Sequence, residues 1–391
     1  MWSAEARLYP LANSENDSYF RSVGLFPEGV LGGPELGQLQ DGLVPHVSAE
    51  ERMAVATVGT LSTLNHDFHD RIVTTRQFIV AVVRELDEFQ GLQPSVNACL
   101  QSDSTDAQKL ENLKAMRAFA QHVATFPAHA AWHDWILNGG DCPESLEWHG
   151  GMLTQFPTLT DIAALCRVYL SGFTHLNQPP DLAGATQLTE LCLVGCTRLS
   201  EPPVLTNNNA LILLDLSNCT GLTRPPDLDN LEELMMLILN GCKNMVINTD
   251  QPLHLGVSLT HLHLADCTSM TDPPNLNQSR DLVVLNLEGC TALTVPPQLA
   301  FTVPPQLPPL NSLKIINLRR CTNLLQLPDT SPAPNVTLFD ISDCTNLTHP
   351  PEINVLLRTP VEILNLRNCT NMTLPANYVS RLREEFIVIL L

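Results

Sequence analysis

Residues 282–290 read Leu-Val-Val-Leu-Asn-Leu-Glu-Gly-Cys, and the same nine-residue pattern returns along the rest of the chain. It ends on Cys196, Cys219, Cys242, Cys267, Cys290, Cys321, Cys344 and Cys369, spaced by 23, 23, 25, 23, 31, 23 and 25 residues. An earlier unit, Leu165 to Phe173, stands 23 residues before Cys196 with an aromatic ring in the thiol's place, which makes nine units. The one long spacing has a local origin. Thr-Val-Pro-Pro-Gln-Leu at 294–299 recurs at 302–307, and 23 plus this eight-residue shift is 31. Self-similarity at a short fixed period signals stacked repeats in which each unit buries its apolar face against the next.

The pattern LxxLxLxxC, followed by Thr-x-Leu-Thr-x-Pro-Pro-x-Leu or a near relative, resembles the leucine-rich repeat and covers about Leu165 to Leu374. Within LxxLxL the fourth and sixth positions, such as Leu191 and Leu193, share one strand face by the period of two and point inward. The residues between them point out. Pro-Pro opposes a helix in the return path and favours extended backbone there. The expected solenoid therefore has a parallel β ribbon on its concave side and an extended, irregular convex side, strongly curved because the units are short.

Eight of the 12 cysteines fall in register, one per unit, whereas zinc sites need clustered pairs. We read Cys196, Cys219, Cys242, Cys267, Cys290, Cys321, Cys344 and Cys369 as a structural ladder. Each is a small buried hydrophobe whose weak S–H donor suits a turn after the strand. Stacked thiols of this kind oxidise outside the cell, so the expected compartment is a reducing cytosol.

The outward third position reads Glu190, Leu213, Met236, His261, Val284, Ile315, Leu338 and Ile363, more apolar than a solvated face requires. The outward fifth position reads Cys192, Asp215, Ile238, His263, Asn286, Asn317, Asp340 and Asn365, and is expected to supply polar contacts that set specificity. Nine strands about 4.8 Å apart span roughly 38 Å, enough for a protein partner. His261 and His263 read as surface histidines, since no third metal ligand accompanies them. Arg319, Arg320 and Arg367 form a small basic spot on the late repeats. Burial of the whole third-position row by curvature or a loop is the alternative.

The full chain has 391 residues and a formal charge of −20, from 41 acidic and 21 basic side chains. That excess repels phosphate backbones and anionic lipid, so nucleic acid is not an expected partner. No run approaches the length of a membrane span, and the start lacks the basic and apolar regions of a signal peptide. No cofactor or metal is expected. Residues 1–45 read as a loose segment, 46–155 as a helical domain, 156–374 as the repeats and 375–391 as a C-terminal cap.

In the helical domain Ser48-Ala-Glu-Glu forms a capping box, and further helices are expected over Asp70–Phe89, Asp106–Thr125 and Pro127–Leu137. Two resemblances bear on its role. Pro34-Glu-Leu, Leu39, Leu43, Val47-Ser-Ala-Glu-Glu and the run from Leu61 to Val73 are similar to an F-box, with Phe68 at the aromatic position and Gly37, Gly42 and Pro45 departing from the pattern. That resemblance implies docking on ubiquitin-ligase components, with the repeats choosing a substrate. Trp132-His-Asp-Trp135, about 30 residues before the repeats, resembles the helical cap of secreted bacterial leucine-rich-repeat effectors, although that family uses Asn where this chain uses Cys. It implies a scaffold inside a host cell. An enzyme is a third class, drawn from His129, His133, Asp134, Cys142 and His149, but no HExxH, GxSxG or phosphate loop accompanies them. The reading is a non-enzymatic protein-binding scaffold, with the F-box adaptor and the enzyme as alternatives.

Overall fold

The computed structural model describes residues 85–391 apart from Asp87, 126–129, Met152, Thr249, Gln251, Asn277, 300–309, 385 and 386. The loose segment, the capping box at Ser48, the F-box-like stretch, His129 and the second Thr-Val-Pro-Pro-Gln-Leu block lie outside the described residues.

One parallel sheet of eleven strands runs through the molecule, and its spatial order is the chain order. The strands are β1 (Ser145–His149), β2 (Arg167–Ser171), β3 (Glu190–Cys192), β4 (Leu213–Asp215), β5 (Met236–Ile238), β6 (His261–His263), β7 (Val284–Asn286), β8 (Ile315–Asn317), β9 (Leu338–Asp340), β10 (Ile363–Asn365) and β11 (Val388–Leu390). The register is uniform: Leu213 pairs with Met236, Met236 with His261, and His261 with Val284. Each repeat position therefore forms a row across the sheet. Inward, Leu214, Leu237, Leu262, Leu285, Ile316 and Leu364 are fully buried, with Leu216, Leu239, Leu264, Leu287 and Leu318 stacked beside them. These rows are the continuous core that no single unit could build alone.

The residue before each cysteine reverses the chain in the left-handed region, with φ of 73° at Gly195 and Gly241, 71° at Gly289, 59° at Asn218 and Arg320, 57° at Asp266, 61° at Asp343 and 58° at Asn368. Gly, Asn and Asp tolerate that conformation, which explains the residue types found at seven of these eight turns; Arg320 is the exception. The turn aims the thiol back into the stack. Sγ of Cys219 donates to the Leu193 carbonyl at 3.0 Å, Cys242 to Leu216 at 3.2 Å, Cys267 to Leu239 at 3.2 Å and Cys290 to Leu264 at 3.1 Å. Cys321, Cys344 and Cys369 repeat the bond to Leu287, Leu318 and Ile341 at 3.1, 3.0 and 3.1 Å, whereas Cys196 reaches Leu170 only at 3.9 Å. Each bond ties one repeat to the carbonyl of the repeat before it. Burial pushes the Cys242 and Cys321 thiols up to about 12, so they stay protonated donors.

Eleven strands exceed the nine units because β1 and β11 carry the fold without the cysteine. In β1, Leu146 and Trp148 take the inward positions, and Gly150 makes the left-handed turn at φ 71°. Gly151 stands where the thiol would be: a Cβ there would lie 2.6 Å from the Phe173 ring. This strand falls inside the span read as helical. Helix α1 (Gln93–Gln101), α2 (Asp106–Thr125, as the sequence predicts) and α3 (Ala130–His133), which runs on into a π turn over Asp134–Asn138, precede it. Trp132 donates its indole N–H to the Ser145 carbonyl at 2.6 Å and meets Phe119 of α2 edge-on, 5.6 Å between centroids. Trp148 stands perpendicular to Phe173 at 4.9 Å. The aromatic rings thus close the first turn of the solenoid.

Short helix α4 (Ile353–Leu356) interrupts the extended back, where the 25-residue spacing to Cys369 leaves two residues more than the 23-residue units. At the C-terminal end α5 (Tyr378–Glu384) and then β11 cover the last repeat. Leu382 is fully buried, and the Tyr378 hydroxyl donates to the Pro351 carbonyl at 2.8 Å. No helix among the described residues is long and apolar enough to cross a membrane.

Candidate protein-binding face

The third-position row reaches the outer face of the sheet as its pleat requires. Leu213, Met236, His261, Val284, Ile315, Leu338 and Ile363 are all half-buried. Their neighbours at the second position, one residue before each strand, are more open. Ile212 is 42% exposed and Met235 46%, side by side, with Val283 half-buried two repeats on. Strand alternation alone misses them, because the residue before the strand is not held to the alternation inside it. Their signal in the sequence is an apolar residue in a column otherwise filled by Thr189, Thr260, Lys314, Thr337 and Glu362.

The fifth-position row is enclosed at three of its eight residues. Asp215 and Ile238 are buried at 3% and 8% exposure, and Cys192 beside them at 4%, because neighbouring strands crowd these side chains against one another. They offer a partner almost no surface. His263, Asn286, Asn317, Asp340 and Asn365 are half-buried. The Asn and Asp side chains here cap their own strand ends by accepting the backbone N–H two residues on. Asp215 accepts from Ser217 at 2.8 Å, Asn286 from Glu288 at 3.1 Å, Asn317 from Arg319 at 3.0 Å, Asp340 from Ser342 at 2.9 Å and Asn365 from Arg367 at 3.3 Å. Burial raises the carboxyl of Asp215 above the usual range, against the pull of its Ser217 hydrogen bonds.

His261 and His263 lie 6.3 Å apart with nearly parallel rings, and Thr260 Oγ1 lies 2.9 Å from His261 Nδ1. Among the described residues no three His, Cys, Asp or Glu side chains gather in a way that could hold a metal. The basic spot is also corrected. Arg319 lies 3.3 Å from Asp343 and 3.8 Å from Glu288, and Arg320 lies 3.1 Å from Asp266 and 3.3 Å from Glu288. With Arg367, exposed two repeats on, three cations stand against three carboxylates, so the spot has no net positive charge.

The first three strands differ in character. Outward of them stand Glu147, Arg167 and Tyr169, whose hydroxyl donates to Glu190. The outer face is polar over β1–β3, and its third-position row is apolar from β4 onward except at His261.

The described residues drawn as an enzyme are each engaged with other partners. Cys142 donates to the Pro143 carbonyl at 3.6 Å, and burial, with Asp161 nearby, pushes its thiol up to about 11, the opposite of what a nucleophile needs. His149 pairs through Nδ1 with Ser171 Oγ at 2.6 Å, His133 Nε2 with the Ala124 carbonyl at 2.9 Å, and Asp134 accepts from Asn138 at 2.9 Å.

No family model and no curated protein matches the sequence. Among solved structures the chain is similar to the leucine-rich repeat domain of the type III effector XopL, at 18% identity and a TM-score of 0.36, over 83% of this chain and 95% of that one. It is similar to a leucine-rich-repeat protein of Leptospira interrogans at 13% identity and a TM-score of 0.23, over 69% and 93% of the two chains. It is also similar to the functional domain of InlJ from Listeria monocytogenes, which includes a cysteine ladder, at 16% identity and a TM-score of 0.24, over 75% and 72%.

Proposed function

We propose that this chain is a non-enzymatic scaffold that holds another protein against the concave face of its sheet. The observation that carries the reading is the contiguous apolar surface of Ile212 and Met235, flanked by Leu213 and Met236, and resumed beyond His261 by Val284 and Ile315 in the same register. A parallel sheet satisfies its own backbone, so this face offers a partner side chains rather than hydrogen-bonding edges. Flexible methionines adapt to an apolar partner surface. Glu147, Arg167 and Glu190 on the polar first strands would fix the partner's orientation by charge.

The thiol ladder supports work in a reducing compartment: all twelve cysteines are free, and a disulfide would remove the S–H groups that tie the repeats together. The Trp132–Trp135 cap over β1 supports the finer reading of a bacterial effector acting in a host cytosol.

The experiment is affinity capture from eukaryotic lysate with the full chain and with Met236→Glu, Val284→Glu and Ile315→Glu combined. A partner identified by mass spectrometry should be held by the parent and lost by the variant, with thermal melting unchanged. A partner kept by the variant would contradict the assignment of the face. Ubiquitin-ligase subunits held by both would favour the adaptor reading of residues 34–73.

A further inference from the structure

His261 and His263 stand half-buried on the outer face of β6, at the third and fifth positions, with nearly parallel rings 6.3 Å apart. The register sets Met236 and Val284 on either side of His261, and Ile238 and Asn286 on either side of His263. No carboxylate or thiol is among these four neighbours, and the Asn286 amide oxygen already accepts the Glu288 N–H at 3.1 Å. The further ligating group is the Met236 thioether, half-buried on the same face one strand away, about 4.8 Å at the backbone. Its unbranched side chain turns about three bonds, enough to bring the sulfur beside the imidazoles.

The hydrogen bonds behind His261 fix its proton. Thr260 donates its hydroxyl to the Met235 carbonyl at 2.9 Å, as Thr189 and Thr337 do at the same repeat position to Cys166 and Lys314. With that proton committed, Thr260 Oγ1 accepts from His261 Nδ1, 2.9 Å away. The neutral imidazole therefore carries its proton on Nδ1 and its lone pair on Nε2, the arrangement by which a second group orients a metal-binding histidine. Two imidazoles and a thioether are neutral ligands, and the sulfur is soft. They suit cuprous ion, which accepts thioether sulfur and a low coordination number, and they give calcium or magnesium no charged oxygen. Zinc would find only the two imidazoles. Rings this far apart must tilt toward each other to share one ion, and half-exposed imidazoles do so by rotation about χ1 and χ2. We infer that His261, His263 and Met236 form a cuprous-ion site on the outer face of the sheet.

Anaerobic titration of the full chain with cuprous ion, against a chromogenic cuprous chelator, tests this with the metal alone and needs no protein partner. One ion should bind at this site, and X-ray absorption should show nitrogen and sulfur ligands together. Met236→Leu keeps volume and apolar character, so the circular dichroism should stay that of the parent. It should lose the sulfur ligand and weaken cuprous binding about tenfold or more, while zinc, held by the histidines alone, binds no differently. His263→Gln should remove the binding of both metals. Thr260→Val leaves the backbone N–H of residue 260 on the Met235 carbonyl but releases the His261 tautomer, and should weaken both metals about tenfold. A chain that takes up no cuprous ion, uptake unchanged in His263→Gln, or a sulfur ligand that survives Met236→Leu and so belongs to a cysteine would overturn the inference.

Discussion

At the residue scale, each cysteine does two jobs, filling the core and satisfying a carbonyl of the previous repeat. The Leu264 carbonyl accepts the Cys267 N–H at 3.3 Å and the Cys290 thiol at 3.1 Å, so Cys290→Val leaves it one bond. That change should cost about 1 kcal/mol in urea denaturation. Cys290→Asp buries an unpaired charge and should unfold the array around β7. Gly241→Ala should cost more than a surface Ala substitution, about 1–2 kcal/mol, because φ is +73° and the new methyl would run into the Asn218 side chain. Asp215→Asn has the opposite sign. A carboxyl whose folded pKa lies above its unfolded value stabilises the fold at low pH, and that stability is lost as pH rises through the folded pKa. Asn keeps the strand-end cap, as Asn286, Asn317 and Asn365 do, without the buried charge. The substitution should raise the urea midpoint at neutral pH, with the gain fading toward about pH 3, below the unfolded carboxyl's pKa. An equal effect at both pH values would remove burial of the charge as its cause. The cysteine spacing made the ladder legible in the sequence. The capping duty of the fifth position was not, because Asn and Asp look the same whether they face a partner or their own backbone.

At the element scale, what was legible followed the clarity of the period. Strands β2–β10 were readable from LxxLxLxxC, and α2 from its helical pattern over 106–125. β1 was hidden because Trp148 replaces a leucine and Gly151 replaces the cysteine to make room for Phe173. Only the turn glycine at 150, one repeat before Gly172, marked it. α1 carried too little helical signal in nine residues to separate it from its surroundings. The cap is held by large rings, so Trp148→Ala should cost about 3–5 kcal/mol locally. Hydrogen exchange should quicken over Ser145–His149 and α2 while β5–β9 keep their protection. Uniform loss of protection along the whole sheet would mean that the cap and the repeats unfold as one unit, contrary to nearest-neighbour coupling.

At the scale of the whole molecule, one register kept across eleven strands converts single-residue choices into surfaces. A leucine at one position makes a core, and an isoleucine or methionine two positions earlier makes an exposed stripe. The polar third positions of the first three strands and the largely apolar ones that follow give the outer face a direction along the solenoid. The sequence disclosed the third-position row of that face. It could not disclose that the second position is the more open one, since exposure there depends on how closely neighbouring strands pack. The most direct test of the central claim is site-specific photo-crosslinking, with a photoreactive phenylalanine analogue at Met235 on the sheet face or at Val204, 69% exposed on the proline-lined back. We predict that one protein partner is crosslinked from Met235 and not from Val204, and that Met236→Glu abolishes the product. Equal crosslinking from both positions, or from Val204 alone, would contradict a partner seated on the concave face.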